Sequence, residues 1–367
     1  MFFSTLLYVT HRIRNNHSTD VIYLLSLLFI LPSFIQYCYN GSILSLLIYF
    51  LILLSYVSFK QTLHLQSNSQ KIISIFGVTI SAILLIPMIS LINFSPGMFF
   101  LDNIAIYEAR ENASVQDFSI LSYLHGGFFN FILPYIIIRH GNKKNYLIVL
   151  IATTELIAYF MIFGLKSTLF IILLLITSLL IRERKWFYRI GCSLLIVITS
   201  IVTFNLNGIN LIFGGLIHRL IILPGVIAEK YIIEFYNQPI YFSQTFLLNK
   251  FSLHSYSDFL SPQFLIGSKY FNNYEMRANS GIISDGIMNL GLIGGLLYAV
   301  IFFYIIRYFS LISHSKGIYP LIIASFITVQ NSFLLTFLGS NGFIIFTLYI
   351  FISNQKFNGF NYRLRSR

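Results

Sequence analysis

Predominantly apolar stretches of roughly 20 residues recur from one end of this chain to the other, the length a helix needs to cross a bilayer. They lie near residues 21–38, 41–59, 72–94, 119–138, 146–164, 167–181, 187–205, 284–306, 318–338 and 341–353. With 56% hydrophobic and 10% charged residues, the chain has too little polar surface for a soluble fold. The expectation is an all-α polytopic membrane protein of about ten transmembrane helices, with residues 1–367 forming a single integral membrane domain. As one helix at about 1.5 Å per residue, the run from Tyr146 to Ile181 would reach about 54 Å, well beyond a hydrocarbon core of about 30 Å. A break is therefore predicted at "FGLKS", around Gly164. The opening "MFFSTLLYVT" has no basic region before it and no small-residue cleavage site, so a removable signal peptide is not expected.

The 24 Lys and Arg outnumber the 12 Asp and Glu, but their positions explain most of the excess. Placing both termini inside puts the basic residues of every inner connection on one side, including "RERK" at 182–185 and "RLRSR" at the end, as the positive-inside rule requires. Membrane lipids with anionic headgroups are the partners this pattern implies, and nucleic acid is not. Arg110, Lys166, Arg219, Lys230, Lys250, Lys269 and Arg277 fall outside.

Two outside connections are long. Residues 95–118 form an acidic rim, with Asp102, Glu108, Glu111 and Asp117 against Arg110. Residues 205–280 begin with an amphipathic stretch ended by Pro239 and continue through "IYFSQTFLLNKFSLHSYSDFLSPQFLIGSKYFNN", which reads as irregular structure and short helix. Aromatic rings beside Asn, Ser and His suit a carbohydrate groove, and they equally suit an interfacial aromatic belt. Arg219 interrupts an apolar run one residue after His218; its fork suits a diphosphate, or it snorkels to headgroups. Lys166 sits at an outer turn, and pairing with a carboxylate such as Asp285 is its structural explanation. Glu155 lies within an apolar span, where a charge faces a cavity or a partner.

The last outside stretch, "YEMRANSGIISDGIMNLGLIGG" (274–295), concentrates Glu275, Arg277, Asn279 and Asp285 at a predicted helix entrance. A helix beginning near Ser280 would present free N–H groups and a partial positive end to an anion, reinforced by Arg277. Asn279 or Ser280 would serve as N-cap, and Gly291 with Gly295 would allow close helix packing.

Neither Cys38 nor Cys192, both in apolar runs, supports disulfide or metal chemistry. The histidines lack metal-ligand spacing, and neither a phosphate-binding Walker loop nor a dinucleotide fingerprint is present. No cofactor is implied.

With "HRLIILPG" (218–225), "SPQFLIGSKYF" (261–271), "NNYEMRANSGIISDGIMNLGLIG" (272–294) and the basic turn "FGLKSTLF" (163–170), the chain resembles the O-antigen polymerases of the Wzy type. These are similar to lipid-dependent GT-C-like membrane glycosyltransferases. The resemblance implies a bacterial inner-membrane protein whose residues 95–118 and 205–280 are periplasmic loops. It implies metal-independent glycosyl transfer from one undecaprenyl-diphosphate-linked glycan to another, with a polysaccharide chain-length regulator as a further partner. Arg219, Arg277 and Lys166 are the candidates for the diphosphate, and His254, Glu275 or Asp285 for a general base. His218, Lys250 and Asn279 join Lys166 as substrate-binding candidates. The alternatives are an O-antigen ligase, which uses the same donor, and a flippase for lipid-linked oligosaccharides.

Overall fold

The computed structural model describes residues 71–92, 119–165, 223–243, 261–274, 276–279, 281–312 and 332–354, with isolated residues within 105–112, 168–176 and 325–329. All regular structure among them is helical. Four stretches are long and apolar enough to cross a membrane: Ile73–Leu91, Tyr146–Phe163, Ile282–Phe302 and Leu334–Ser353. The chain is thus a multi-pass membrane protein. The expected spans at 21–38, 41–59 and 187–205 lie outside the described residues, as do most of 167–181 and 318–338.

The chain divides into two compact units that interleave along the sequence. One holds the described residues within Leu63–Arg182, Leu311–Ser325 and Leu335–Arg367. Helix α1 (Lys71–Leu85) passes into a 3-10 turn at Ile86–Leu91, where Pro87 lies in the first turn. Helix α2 (Ser119–Gly127), a π turn at Phe128–Ile132 and α3 (Leu133–Asn142) run on from one another. Helix α4 (Tyr146–Phe163) returns against α3 and α1. It stops where length requires: Gly164 adopts the left-handed conformation at φ +57° and donates its N–H to Phe160 O at 2.8 Å.

Lipid is as apolar as leucine, so these helices are held by close packing and a few polar contacts. Phe129 stacks on Tyr159 with centroids 4.2 Å apart, and Phe131, Phe337, Phe343 and Phe346 form a second ring cluster. The last described helix is α9 (Phe343–Asn354), preceded by the short α8 (Leu334–Leu338). Within the expected loop 95–118, Ala105 and Ala109 are helical and buried against Phe160 and Met161, while Glu108 and Glu111 are exposed. That part of the acidic rim is an amphipathic helical turn.

The other unit holds the described residues within Glu183–Ser310 and Phe326–Leu334. Helix α5 (Leu223–Phe235) buries Ile227, Tyr231 and Phe235, spaced by four along one face. Helix α6 (Pro262–Phe271) opens on Pro262 and closes on Asn272 in the left-handed conformation. Both pack on a core that includes Ile240, Ile266, Ala278 and Met288.

Helix α7 (Ile282–Ile312) corrects the expectation of a straight span at 284–306. Leu290 (φ −134°, ψ 18°) and Gly291 (φ +60°, ψ −152°) are not helical. Any Cβ on Gly286 would strike Gly294 O and the Tyr298 ring, and one on Gly294 would strike Gly286 O. Residues 286 and 294 would stand about 12 Å apart in a continuous helix, so the chain doubles back at the break. Residues 282–289 are buried on every side. Residues 292–302, in contrast, expose Leu292, Ile293, Leu296, Leu297, Val300 and Ile301 along one face. The part from 292 to 312, about 31 Å long, can span the bilayer unaided. Gly291 therefore makes the turn and Gly286 with Gly294 makes the close approach, in place of the expected Gly291 and Gly295 pair.

Candidate functional site

A helix broken inside an apolar protein leaves backbone carbonyls that must find partners. Here the partners come from residues 240–242, just beyond α5. Ile240 N–H donates to Met288 O (2.9 Å), Tyr241 N–H to Asn289 O (3.0 Å) and Phe242 N–H to Asn289 Oδ1 (3.0 Å). Asn289 Nδ2 donates to Asp285 O (2.9 Å) and to Asp285 Oδ1 (2.8 Å), one helical turn back. Asp285 Oδ2 then accepts the N–H of Leu334 at 2.8 Å. A single polar relay thus joins three chain segments. Asp285 is 3% exposed and Asn289 1%, with both carboxylate oxygens engaged.

The start of α7 is also set differently from the expectation. Asp285 N–H donates to Gly281 O, so Gly281 supplies the first helical carbonyl. Asn279 is exposed, and its N–H donates to Arg277 O at 2.9 Å. It is not the cap.

Arg277 sits on an extended segment fixed by its neighbour. Ala278 is fully buried; its N–H donates to Gln263 O (3.2 Å) and its carbonyl accepts from Tyr231 Oη (2.9 Å). With the backbone held at that residue, the Arg277 side chain lies exposed over the Phe264 ring, its guanidinium carbon 5.5 Å from the centroid. A guanidinium carried on a ring keeps its donor edge open to an anion.

In the same unit, Glu234 gathers two donors. Lys269 Nζ reaches its carboxylate at 2.7 Å and Tyr270 Oη at 2.7 Å. Lys230 Nζ and Lys269 Nζ flank the Tyr270 ring at 5.4 and 5.7 Å from its centroid. Partial burial, then the hydrogen bond to Glu234 and its negative charge, push the Tyr270 phenol up to about 12. The phenol thus stays a neutral donor. Lys269 is an ion-pair partner within the fold, whereas among the described residues no carboxylate pairs with Arg277.

Of the residues named as catalytic or substrate-binding candidates from sequence, Arg277, Asn279 and Asp285 are described. Lys166, His218, Arg219, Lys250, His254 and Glu275 lie outside the described residues. Arg277 and Asn279 are exposed two residues apart on one segment, and Asp285 faces inward to Asn289 and Leu334. Sequence reasoning missed Asn289, Tyr231 and Phe264. The four-residue step from Asp285 to Asn289 places both on one helix face and was a usable signal. Nothing local marks Tyr231 as the partner of Ala278.

In the other unit, Glu155 has a partner as its place in a span requires: Ser81 Oγ donates to Glu155 Oε2. Ser81 also lies 3.1 Å from Gly77 O and 2.9 Å from Val78 O. Glu155 Oε1 is buried without a hydrogen-bond partner among the described residues. His125 Nε2 donates to Leu84 O at 3.3 Å.

Comparison with protein-family models, with curated proteins and with solved structures gave no match.

Proposed function

We propose that this protein is an O-antigen polymerase of the Wzy type, a metal-independent glycosyltransferase of the bacterial inner membrane with about ten spans. It would join undecaprenyl-diphosphate-linked repeat units on the periplasmic face. The observation that carries the reading is Arg277: an open guanidinium on a backbone pinned at Ala278, within the stretch that carries the family resemblance. In the reaction, an acceptor hydroxyl attacks the anomeric carbon of the donor glycan. The bond to undecaprenyl diphosphate breaks with its electron pair, and the hydroxyl proton passes to a base. Without a metal, the charge growing on the leaving diphosphate must be met by positioned cations. Arg277, Arg219 and Lys166 are assigned that role, with Arg277 suited to a bidentate grip.

Lys250, His218 and Asn279 are assigned to substrate, and the exposure of Asn279 suits contact with a sugar. The burial of Asp285 and the engagement of both its oxygens favour Glu275 or His254 as the base. Undecaprenyl-diphosphate-linked glycans and membrane lipids are the partners, with a chain-length regulator acting on the product.

Deleting the gene should leave lipopolysaccharide core bearing one repeat unit, seen as a single band above core on a gel. Core with no O-antigen at all would instead identify a ligase or a flippase. Arg277→Ala and Arg219→Ala should each slow polymer formation about a hundredfold at unchanged membrane abundance, and Arg277→Lys should restore only part of it. Wild-type ladders in either alanine variant would remove that residue from the mechanism.

A further inference from the structure

The turn that caps the broken helix carries more aromatic and amide surface than capping requires. It runs Tyr236, Asn237, Gln238, Pro239, Ile240, Tyr241, Phe242, Ser243. At one end, Tyr236 N–H closes α5 onto Ile232 O at 3.0 Å. At the other, the N–H and Oγ of Ser243 return to Ile240 O at 3.0 and 2.6 Å. Between them, three successive N–H groups are bonded to Met288 and Asn289. The backbone is thereby fixed before any ligand arrives, which lowers the entropic cost of binding one.

Onto this fixed turn the sequence places four exposed side chains: Tyr236 (43% exposed), Asn237, Gln238 and Tyr241 (38%). Tyr241 and Phe242 both hold the left-handed conformation, at φ +49° and +63°. Bulky residues rarely adopt it, and such strain persists where the surroundings impose it. Capping uses only the N–H of residue 241, which glycine or asparagine would supply with less strain. The backbone bonds therefore do not account for tyrosine at 241.

We propose that residues 236–241 form a sugar-binding turn. Tyr236 and Tyr241 offer faces to the C–H side of a pyranose, and the carboxamides of Asn237 and Gln238 offer donors and acceptors to its hydroxyls. The ligand class is a neutral glycan. Its identity as the repeat unit or growing O-polysaccharide rests on the proposed function. Asn289 is the positioning residue, acting on the glycan only through the backbone of residues 241 and 242.

The test is a titration of the full chain in lipid nanodiscs with the host's O-polysaccharide, freed from lipid A by mild acid. Tyr241→Phe should bind as the wild type does. Tyr241→Gly and Tyr241→Asn, which relieve strain but remove the ring, should bind roughly five- to tenfold more weakly, with melting temperatures at or above wild type. Tyr241→Gly binding as tightly as wild type would overturn the site. So would melting temperatures that fall together with affinity in both variants, since Tyr241 would then be structural. A tyrosine that only anchors in lipid headgroups predicts no change in glycan affinity. The gene deletion keeps the two readings apart. Core bearing a single repeat unit on deletion, with wild-type affinity in Tyr241→Gly, overturns the sugar site alone. An intact ladder on deletion overturns the polymerase, and tyrosine-dependent binding then stands by itself.

Discussion

Asp285 in one unit and Glu155 in the other are carboxylates buried within apolar helices, and the two are treated differently. Asp285 uses both oxygens, on the Asn289 side chain and on the N–H of Leu334. Leu334 opens helix α8, where a backbone N–H has no acceptor within its own helix. Glu155 engages one oxygen with Ser81, whose hydroxyl has two other acceptors within reach on its own helix, Gly77 O and Val78 O. The lesson concerns the partners more than the acids. A buried acid is structurally necessary when removing it strands a group that has nowhere else to bond, and dispensable when its partner can turn back to its own helix.

The sharpest way to break this comparison is Asp285→Ala. It strands the Leu334 N–H in the interior and removes one of the two Asp285 acceptors of the Asn289 amide, and an expected loss of about 3 kcal/mol would appear as a lowered melting temperature in detergent. A change below about 1 kcal/mol would mean that the relay is incidental. Next comes Gly291→Ala, expected to cost about 2 kcal/mol because φ +60° with ψ −152° belongs almost wholly to glycine. If the variant melts with the wild type, the doubling back of α7 does not depend on that residue. The smallest effect belongs to Glu155→Leu, expected to be neutral or stabilising within about 1 kcal/mol. A loss above about 2 kcal/mol in the same melt would show that Ser81 cannot use its local acceptors and that the two acids are alike after all.

Much of the helical content was legible because lipid leaves the backbone few alternatives. Tyr146 to Phe163 could be bounded from length alone, and Gly164 ends the helix as predicted. The stretch around α6 was expected only as irregular structure and short helix, and Pro262 is the local signal at which that helix starts. The break in α7 was hidden because apolar residues continue across Leu290 and Gly291, so neither composition nor periodicity changes there. Its cause is 50 residues upstream, in the N–H groups of Ile240 and Tyr241. For the candidate site, the sequence marked Arg277 as a cation out of topological place, and the structure supplies its ring and its pinned backbone. The inward turn of Asp285 could not be read, because its second partner, Leu334, lies 49 positions along the chain.

The doubled-back helix bears on how the protein enters its membrane. An insertion machinery samples segments by apolarity and penalises Asp and Asn near a helix centre. Residues 292–312 hold neither Asp nor Asn, and only Arg307 as a charge, so they can partition into lipid as a unit. Residues 282–289, carrying Asp285 and Asn289, are too short to span and can await their partners. The polar relay would then assemble after insertion, when residues 240–242 and Leu334 are both at hand. On this order of events, a chain cut short before Leu334 would insert α7 yet leave Asp285 without its backbone partner.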